Sequence, residues 1–194
     1  MSEMLEIRWH GRGGQGAKTA ALLLAEAAAA VGRYVQAFPE YGPERMGAPV
    51  VSYNRISRKP ITIHSAVTSP RFVAVLDPSF IGSIDFTSGV PANGVLLINS
   101  PESSENIRQL MQLDNDPLKV YTLDASRISH ETIGRPIPNT PMLGAMVAAT
   151  KIMEIEELLQ DTRGRLEKKF RGRPELIEGN MAAITRAYEE VQRQ

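Results

Sequence analysis

Arg8-Trp9-His10-Gly11-Arg12-Gly13-Gly14-Gln15-Gly16-Ala17-Lys18-Thr19 is the stretch that decides the fold. Ahead of it, Leu5-Glu6-Ile7-Arg8-Trp9 has the make-up of a short strand, and residues 17–31 behind it form an Ala/Leu-rich run of helical character. The glycines at 11, 13, 14 and 16 let the strand-to-helix turn bring its backbone close to a ligand or another chain. Such a turn aims N–H groups and the positive end of the helix dipole at its guest, and phosphates are common guests. A tight β–α turn without a guest needs the same glycines. Both readings stand at this point.

Gly11, Gly13 and Gly16 satisfy the G-x-G-x-x-G spacing of dinucleotide-binding turns. That reading also needs an acidic residue about 20 positions on, at the end of the second strand, to hold a ribose hydroxyl. The second apolar stretch, Tyr34-Val35-Gln36-Ala37-Phe38, runs into Pro39-Glu40, so Glu40 comes late for that role. A mononucleotide P-loop fits less well. Gly11 and Gly16 have its separation, but Ala17 stands where the lysine belongs and Lys18 is one residue late.

The 194 residues fit a single domain spanning 1–194, with enough chain to bury a core. Lys plus Arg and Asp plus Glu each number 22, which leaves no basic footprint for nucleic acid. No apolar run is long enough to span a membrane. Met1-Ser2-Glu3-Met4 has no charged-then-apolar start, and with the absence of cysteine this leads us to expect a cytoplasmic protein. A cysteine-free chain holds neither a disulfide nor a cysteine-ligated iron–sulfur cluster. His10, His64 and His130 form no metal-ligand spacing.

Working outward, strands and helices alternate. The alternation in Pro49-Val50-Val51-Ser52-Tyr53-Asn54-Arg55-Ile56 predicts a half-buried strand, with residues 60–64 as its hairpin partner around Ser57-Arg58-Lys59. Residues 71–77, 94–99 and 119–124 are apolar runs of the kind buried on both faces of a parallel sheet. Short helices are expected within 101–113 and 126–133. The sum is an α/β, Rossmann-like domain: a mostly parallel central sheet flanked by helices, a small antiparallel insertion near 50–64, and a helical tail. Asp77 and Asp124 end buried strands, where such sheets bind ligands, although each is also placed to cap the next turn. Asn139-Thr140-Pro141 predicts a helix start with Asn139 or Thr140 as cap. Met181, Ile184, Ala187, Tyr188 and Val191 recur at helical intervals in the charged tail.

The longest stretch without an evident element is Pro39-Glu40-Tyr41-Gly42-Pro43-Glu44-Arg45-Met46-Gly47-Ala48-Pro49. Its prolines and glycines fix an irregular path, and Tyr41, Glu44 and Arg45 give it polar reach toward a ligand or partner. A structural Ω-type loop is the alternative. No nucleophile–base pair and no diphosphate–magnesium motif is legible in the chain.

Three segments, in order, resemble the gamma subunit of 2-oxoacid:ferredoxin oxidoreductases, and most closely the pyruvate enzymes: residues 8–18; Tyr34-Val35-Gln36-Ala37-Phe38-Pro39-Glu40-Tyr41-Gly42-Pro43-Glu44-Arg45; and Ile137-Pro138-Asn139-Thr140-Pro141-Met142-Leu143-Gly144-Ala145. Asn180 within Glu178-Gly179-Asn180-Met181, and Arg186-Ala187-Tyr188-Glu189, extend the likeness over the whole length.

The resemblance implies a subunit without its own catalytic residues. Alpha and beta subunits hold thiamine diphosphate and Mg2+, and a ferredoxin-like delta subunit carries [4Fe–4S] clusters. The complex converts a 2-oxo acid, CoA and oxidised ferredoxin to acyl-CoA, carbon dioxide and reduced ferredoxin. The chain binds no cofactor alone, but CoA is a candidate guest of Gly11, Arg12, Gly13, Gly14, Gln15, Gly16, Tyr41, Glu44 and Arg45. The other class the residues allow is a free-standing NAD- or flavin-binding oxidoreductase.

Overall fold

The computed structural model describes residues 4–40 and 48–194. Within them, strand β1 (Met4–Arg12) leads through the glycine turn into α1 (Ala17–Ala30), followed by β2 (Tyr34–Glu40) and β3 (Pro49–Ser57). Then come β4 (Phe72–Val75), a 3-10 turn at Pro78–Phe80, β5 (Val95–Asn99), α2 (Ser104–Leu110), β6 (Lys119–Leu123) and α3 (Ala125–Ile133). Three helices close the chain: α4 (Asn139–Thr150), α5 (Ile155–Lys169) and α6 (Pro174–Gln192).

The strands form one six-stranded sheet in the order β2-β3-β1-β4-β5-β6. β1, β4, β5 and β6 run parallel to one another, and β3 is antiparallel to both β1 and β2. The α/β class and mostly parallel sheet read from the sequence are thus observed. The antiparallel insertion needs a correction, because residues 60–64 form no strand and β3 instead fills the space between β2 and β1. β1 pairs with β3 over residues 49–57 and β2 pairs over 51–57, so β3 has sheet neighbours on both sides along most of its length, which a short hairpin with 60–64 would not give.

One face of the sheet carries the larger core. Ile7 and Trp9 meet the alanine face of α1, and Met142, Met146 and Ile184 from the terminal helices join them. Alanine keeps α1 close enough to the sheet for a buried relay: Trp9 Nε1 donates to Asn54 Oδ1 at 2.8 Å, and Asn54 Nδ2 donates to the Ala21 carbonyl at 2.8 Å. Each buried amide group is thereby paired, which avoids the full cost of desolvating it alone. On the other face Val73, Val75, Leu96 and Ile98 pack against Phe80, Phe86 and Ile107.

The charged tail divides into α5 and α6 rather than forming one amphipathic run. A capping box between Glu154 and Glu157 starts α5. Gly144 faces the Ile184 carbonyl so closely that a Cβ would collide with it, so α4 and α6 cross backbone to backbone. Asn180 on α6 accepts from the Thr140 hydroxyl at 3.0 Å and donates to the Leu176 carbonyl at 2.6 Å. At the far edge of the sheet the Gln194 side-chain amide donates to the Thr122 carbonyl at 2.7 Å and accepts from its N–H at 3.2 Å. It copies a strand partner at this one residue of the edge. Among the described residues, no helix is long and apolar enough to cross a membrane.

Candidate functional site: the glycine edge of the sheet

The C-terminal end of β1 turns into α1 over residues 12–16. The Gln15 carboxamide holds this turn, its oxygen accepting from the Arg12 N–H at 2.7 Å while its Nε2 donates to Asp77 Oδ2 at 2.9 Å. Gly16 adopts φ +83°, and a Cβ there would lie 2.7 Å from Asn139 Nδ2. The start of α4 therefore packs directly on the start of α1, and two of the three segments of the sequence likeness meet in space. Pro138, rather than Asn139 or Thr140, stands at the cap position of α4. Asn139 lies inside the helix, and its Oδ1 accepts from the Thr140 N–H at 2.9 Å.

No side chain caps α1, and no acidic residue lies in its first turn. The first turn of α1 carries the positive end of the helix dipole, which favours an anion. Gly14, at φ +97°, has nothing within 4 Å of a would-be Cβ among the described residues. The exit of the 41–47 connection lies against the turn, with the Gly13 N–H donating to the Ala48 carbonyl at 3.2 Å and Arg12 in register with Pro49. Tyr41, Glu44 and Arg45 lie outside the described residues.

Arg12 behaves differently from its expected role as a ligand on this surface. Its Nε donates to Asp77 Oδ2 at 2.8 Å, Nη2 donates to Ser79 Oγ at 3.0 Å, and the guanidinium lies 4.4 Å from the centre of the Phe80 ring. Burial alone would raise the Asp77 carboxyl. Hydrogen bonds from Ser79, Gln15 and Arg12 outweigh that and hold it below its ordinary value. The crevice between β1 and β4, where an open α/β sheet usually takes its ligand, already contains an internal anion. Asp77 is also the cap of the 3-10 turn, and Asp124 caps α3 by accepting from the Arg127 N–H at 2.9 Å.

The dinucleotide arrangement is absent. β3 separates β1 from β2, which moves the end of β2 about 5 Å further away than in an uninterrupted βαβ unit. Glu40 accepts a 2.5 Å hydrogen bond from the Tyr53 hydroxyl. Burial and this carboxylate push the Tyr53 phenol up to about 12. On the same sheet face His10 is nearly inaccessible, with Nε2 unpartnered and its ring edge-on to Phe86 at 5.0 Å. Burial and the Arg8 charge push His10 down to about 4, so it is neutral at pH 7. Among the described residues, no group of three or more His, Cys, Asp or Glu could hold a metal ion.

Comparison with known proteins decides the family. The model of pyruvate ferredoxin/flavodoxin oxidoreductase matches residues 6–190. The chain belongs to this family. A Pyrococcus furiosus protein named pyruvate/ketoisovalerate oxidoreductases common subunit gamma is 46% identical over 192 residues, covering 97% of this chain and 98% of its own. Pyruvate synthase subunit PorC of Thermotoga maritima is 45% identical over 186 residues, covering 96% and 94%. The crystal structure of pyruvate oxidoreductase subunit PORC from Thermotoga maritima superposes with a TM-score of 0.82 at 41% identity, covering 97% of each chain. These are oxidoreductase subunits matched nearly end to end. A free-standing NAD or flavin enzyme is set aside, both by this family membership and by the interposed β3.

The glycine turn is legible in the sequence, whereas the carboxylate that pairs with Arg12 is not. The only sign of it is Asp77, at the end of a buried strand. Nor is Asn139 legible as the residue packed on Gly16.

Proposed function

We propose that this chain is the gamma subunit of a thiamine-dependent 2-oxoacid:ferredoxin oxidoreductase acting on pyruvate in the cytoplasm. Its partners are thiamine-binding alpha and beta subunits and a ferredoxin-like delta subunit, with ferredoxin as acceptor. The observation that carries this reading is the near full-length match to proteins named as gamma or PorC subunits. Thiamine diphosphate, Mg2+ and [4Fe–4S] clusters reside in the partners and supply the carbanion and one-electron chemistry. A subunit common to pyruvate and ketoisovalerate enzymes in Pyrococcus furiosus supports a gamma chain that leaves the choice of 2-oxo acid to those partners.

In this reading the glycine edge, residues 11–16 with Tyr41, Glu44 and Arg45, faces the thiamine-bearing subunits and borders the path of CoA. The glycine backbone of the turn and the positive end of the α1 dipole suit a phosphate group. Arg12, held by Asp77, acts by fixing the turn. The test is reconstitution. The isolated chain has no 2-oxoacid oxidation, and mixing it with alpha, beta and delta subunits restores CoA-dependent ferredoxin reduction that the other three lack. Activity from the isolated chain, or undiminished activity without it, contradicts the proposal.

A further inference from the structure

At the opposite edge of the sheet, the N-terminal end of β1, a pocket of about 180 Å3 opens between Leu5, Arg33, Ile56, Ser57, Arg58 and Lys151, with Ile152 beside them. Four elements end or begin there: α1 with its turn into β2, β3, β1 and α4. β1 is nine residues long, so this pocket lies roughly 25–30 Å from the glycine turn. Its volume is that of about six waters, enough for a tetrahedral or planar oxyanion with a small substituent.

Arg12, Arg55, Arg165 and Arg186 each hold a carboxylate. Among the described residues, no acid lines the pocket, and no hydrogen bond or ion pair involves the Arg33, Arg58 or Lys151 side chain. The C-termini of α1 and α4 lie nearby, each equivalent to about half a negative charge. Three cations against two half charges leave a surplus of about +2. Helix ends therefore account for part of the cluster and not for the whole.

Lys151 adds an independent sign. It sits at φ 52°, ψ 38° where α4 ends, a left-handed position that glycine occupies without strain. Gln112 is the only other non-glycine residue with positive φ among the described residues. Helix termination does not require a long cation at this site. A role for its ammonium at the mouth of the pocket explains the choice.

We propose that Arg33, Arg58 and Lys151 form an oxyanion-binding site, taking a phosphate or carboxylate group on an apolar floor of Leu5 and Ile56. The anion comes either from a small molecule or from an acidic side chain of a neighbouring subunit.

Inorganic phosphate is the probe, added to the full-length chain with sodium chloride at matched ionic strength as control. The expected result is a saturable, phosphate-specific shift of the backbone amide NMR signals of residues 33, 58 and 151. Arg58→Gln and Lys151→Asn should each weaken binding at least fivefold, Lys151→Arg should retain it, and Arg127→Gln on α3 should leave it unchanged. Phenylglyoxal labelling of Arg33 and Arg58, read by mass spectrometry, extends the test to the assembled complex. Protection on assembly without phosphate assigns the anion to a neighbouring subunit; protection only after phosphate is added assigns it to a small molecule. Equal shifts with chloride, or shifts unaffected by the charge-removing variants, overturn the site.

Discussion

At one edge of the sheet Arg12 leans on Asp77 and on the Phe80 ring, while at the other Arg33, Arg58 and Lys151 surround a pocket with no acid in its lining among the described residues. The first edge has the sequence signature of an anion site, yet its Arg12 already holds a carboxylate of the same chain. The second has no motif, and its cations come from positions 33, 58 and 151, which only the fold brings together. Motif and available charge are separate properties. A glycine-rich turn describes where a backbone can be approached. Pairing decides where positive charge is left over.

The largest expected effect tests the glycine edge. Gly16→Val places a β-branched side chain at φ +83° and against Asn139, so it should cost about 3 kcal/mol from backbone strain and overpacking. Equilibrium denaturation checks this, and a loss under 1 kcal/mol would mean that α4 does not rest on the turn as described.

Between the edges, His10 sets a pH dependence. Its folded value of about 4 lies below the ordinary 6.5. The unfolded chain therefore binds the proton first as pH falls. The stability tied to neutral His10 is complete above pH 6.5 and is lost progressively down to about pH 4. Between pH 7 and pH 5 the loss should be about 2 kcal/mol. His10→Leu should flatten that part of the profile, and an unchanged slope would remove the assignment.

Asp77→Asn comes next. With Arg12 half exposed and solvent screening its charge, the loss at pH 7 should be about 1 kcal/mol. The lowered Asp77 value means its contribution is present above the ordinary carboxylate range and lost as pH falls through the folded value. The variant should therefore show a shallower acid limb in thermal unfolding. Lys151→Gly has the opposite sign. Relief of the left-handed position and of three-cation repulsion should stabilise the isolated chain by up to about 1 kcal/mol. Destabilisation would show that Lys151 holds the fold rather than a ligand.

Much of the fold was legible because periodicity reports burial. The apolar runs ending at Asp77, Asn99 and Asp124 could only be strands covered on both faces. β3 was recognised as a strand but given the wrong partner. Alternation fixes which side chains face inward and says nothing about which neighbour satisfies the backbone. The glycine turn was legible because φ values of +97° at Gly14 and +83° at Gly16 need glycine. Arg12 with Asp77, 65 residues apart, and Gly16 with Asn139 are tertiary pairs that spacing cannot reveal. The basic pocket was hidden for the same reason, in a chain whose 22 cations balance 22 acids.

The central claim is that the glycine edge of this family member is a docking surface within a larger oxidoreductase. Hydrogen–deuterium exchange of the chain, alone and in the assembled complex, tests it most directly. The amides of residues 13–19 and 48–50 should gain protection of at least tenfold on assembly, with β5 and the interior of α4 unchanged. Identical exchange at 13–19 and 48–50 in the free chain and in a complex that retains CoA-dependent ferredoxin reduction would contradict it.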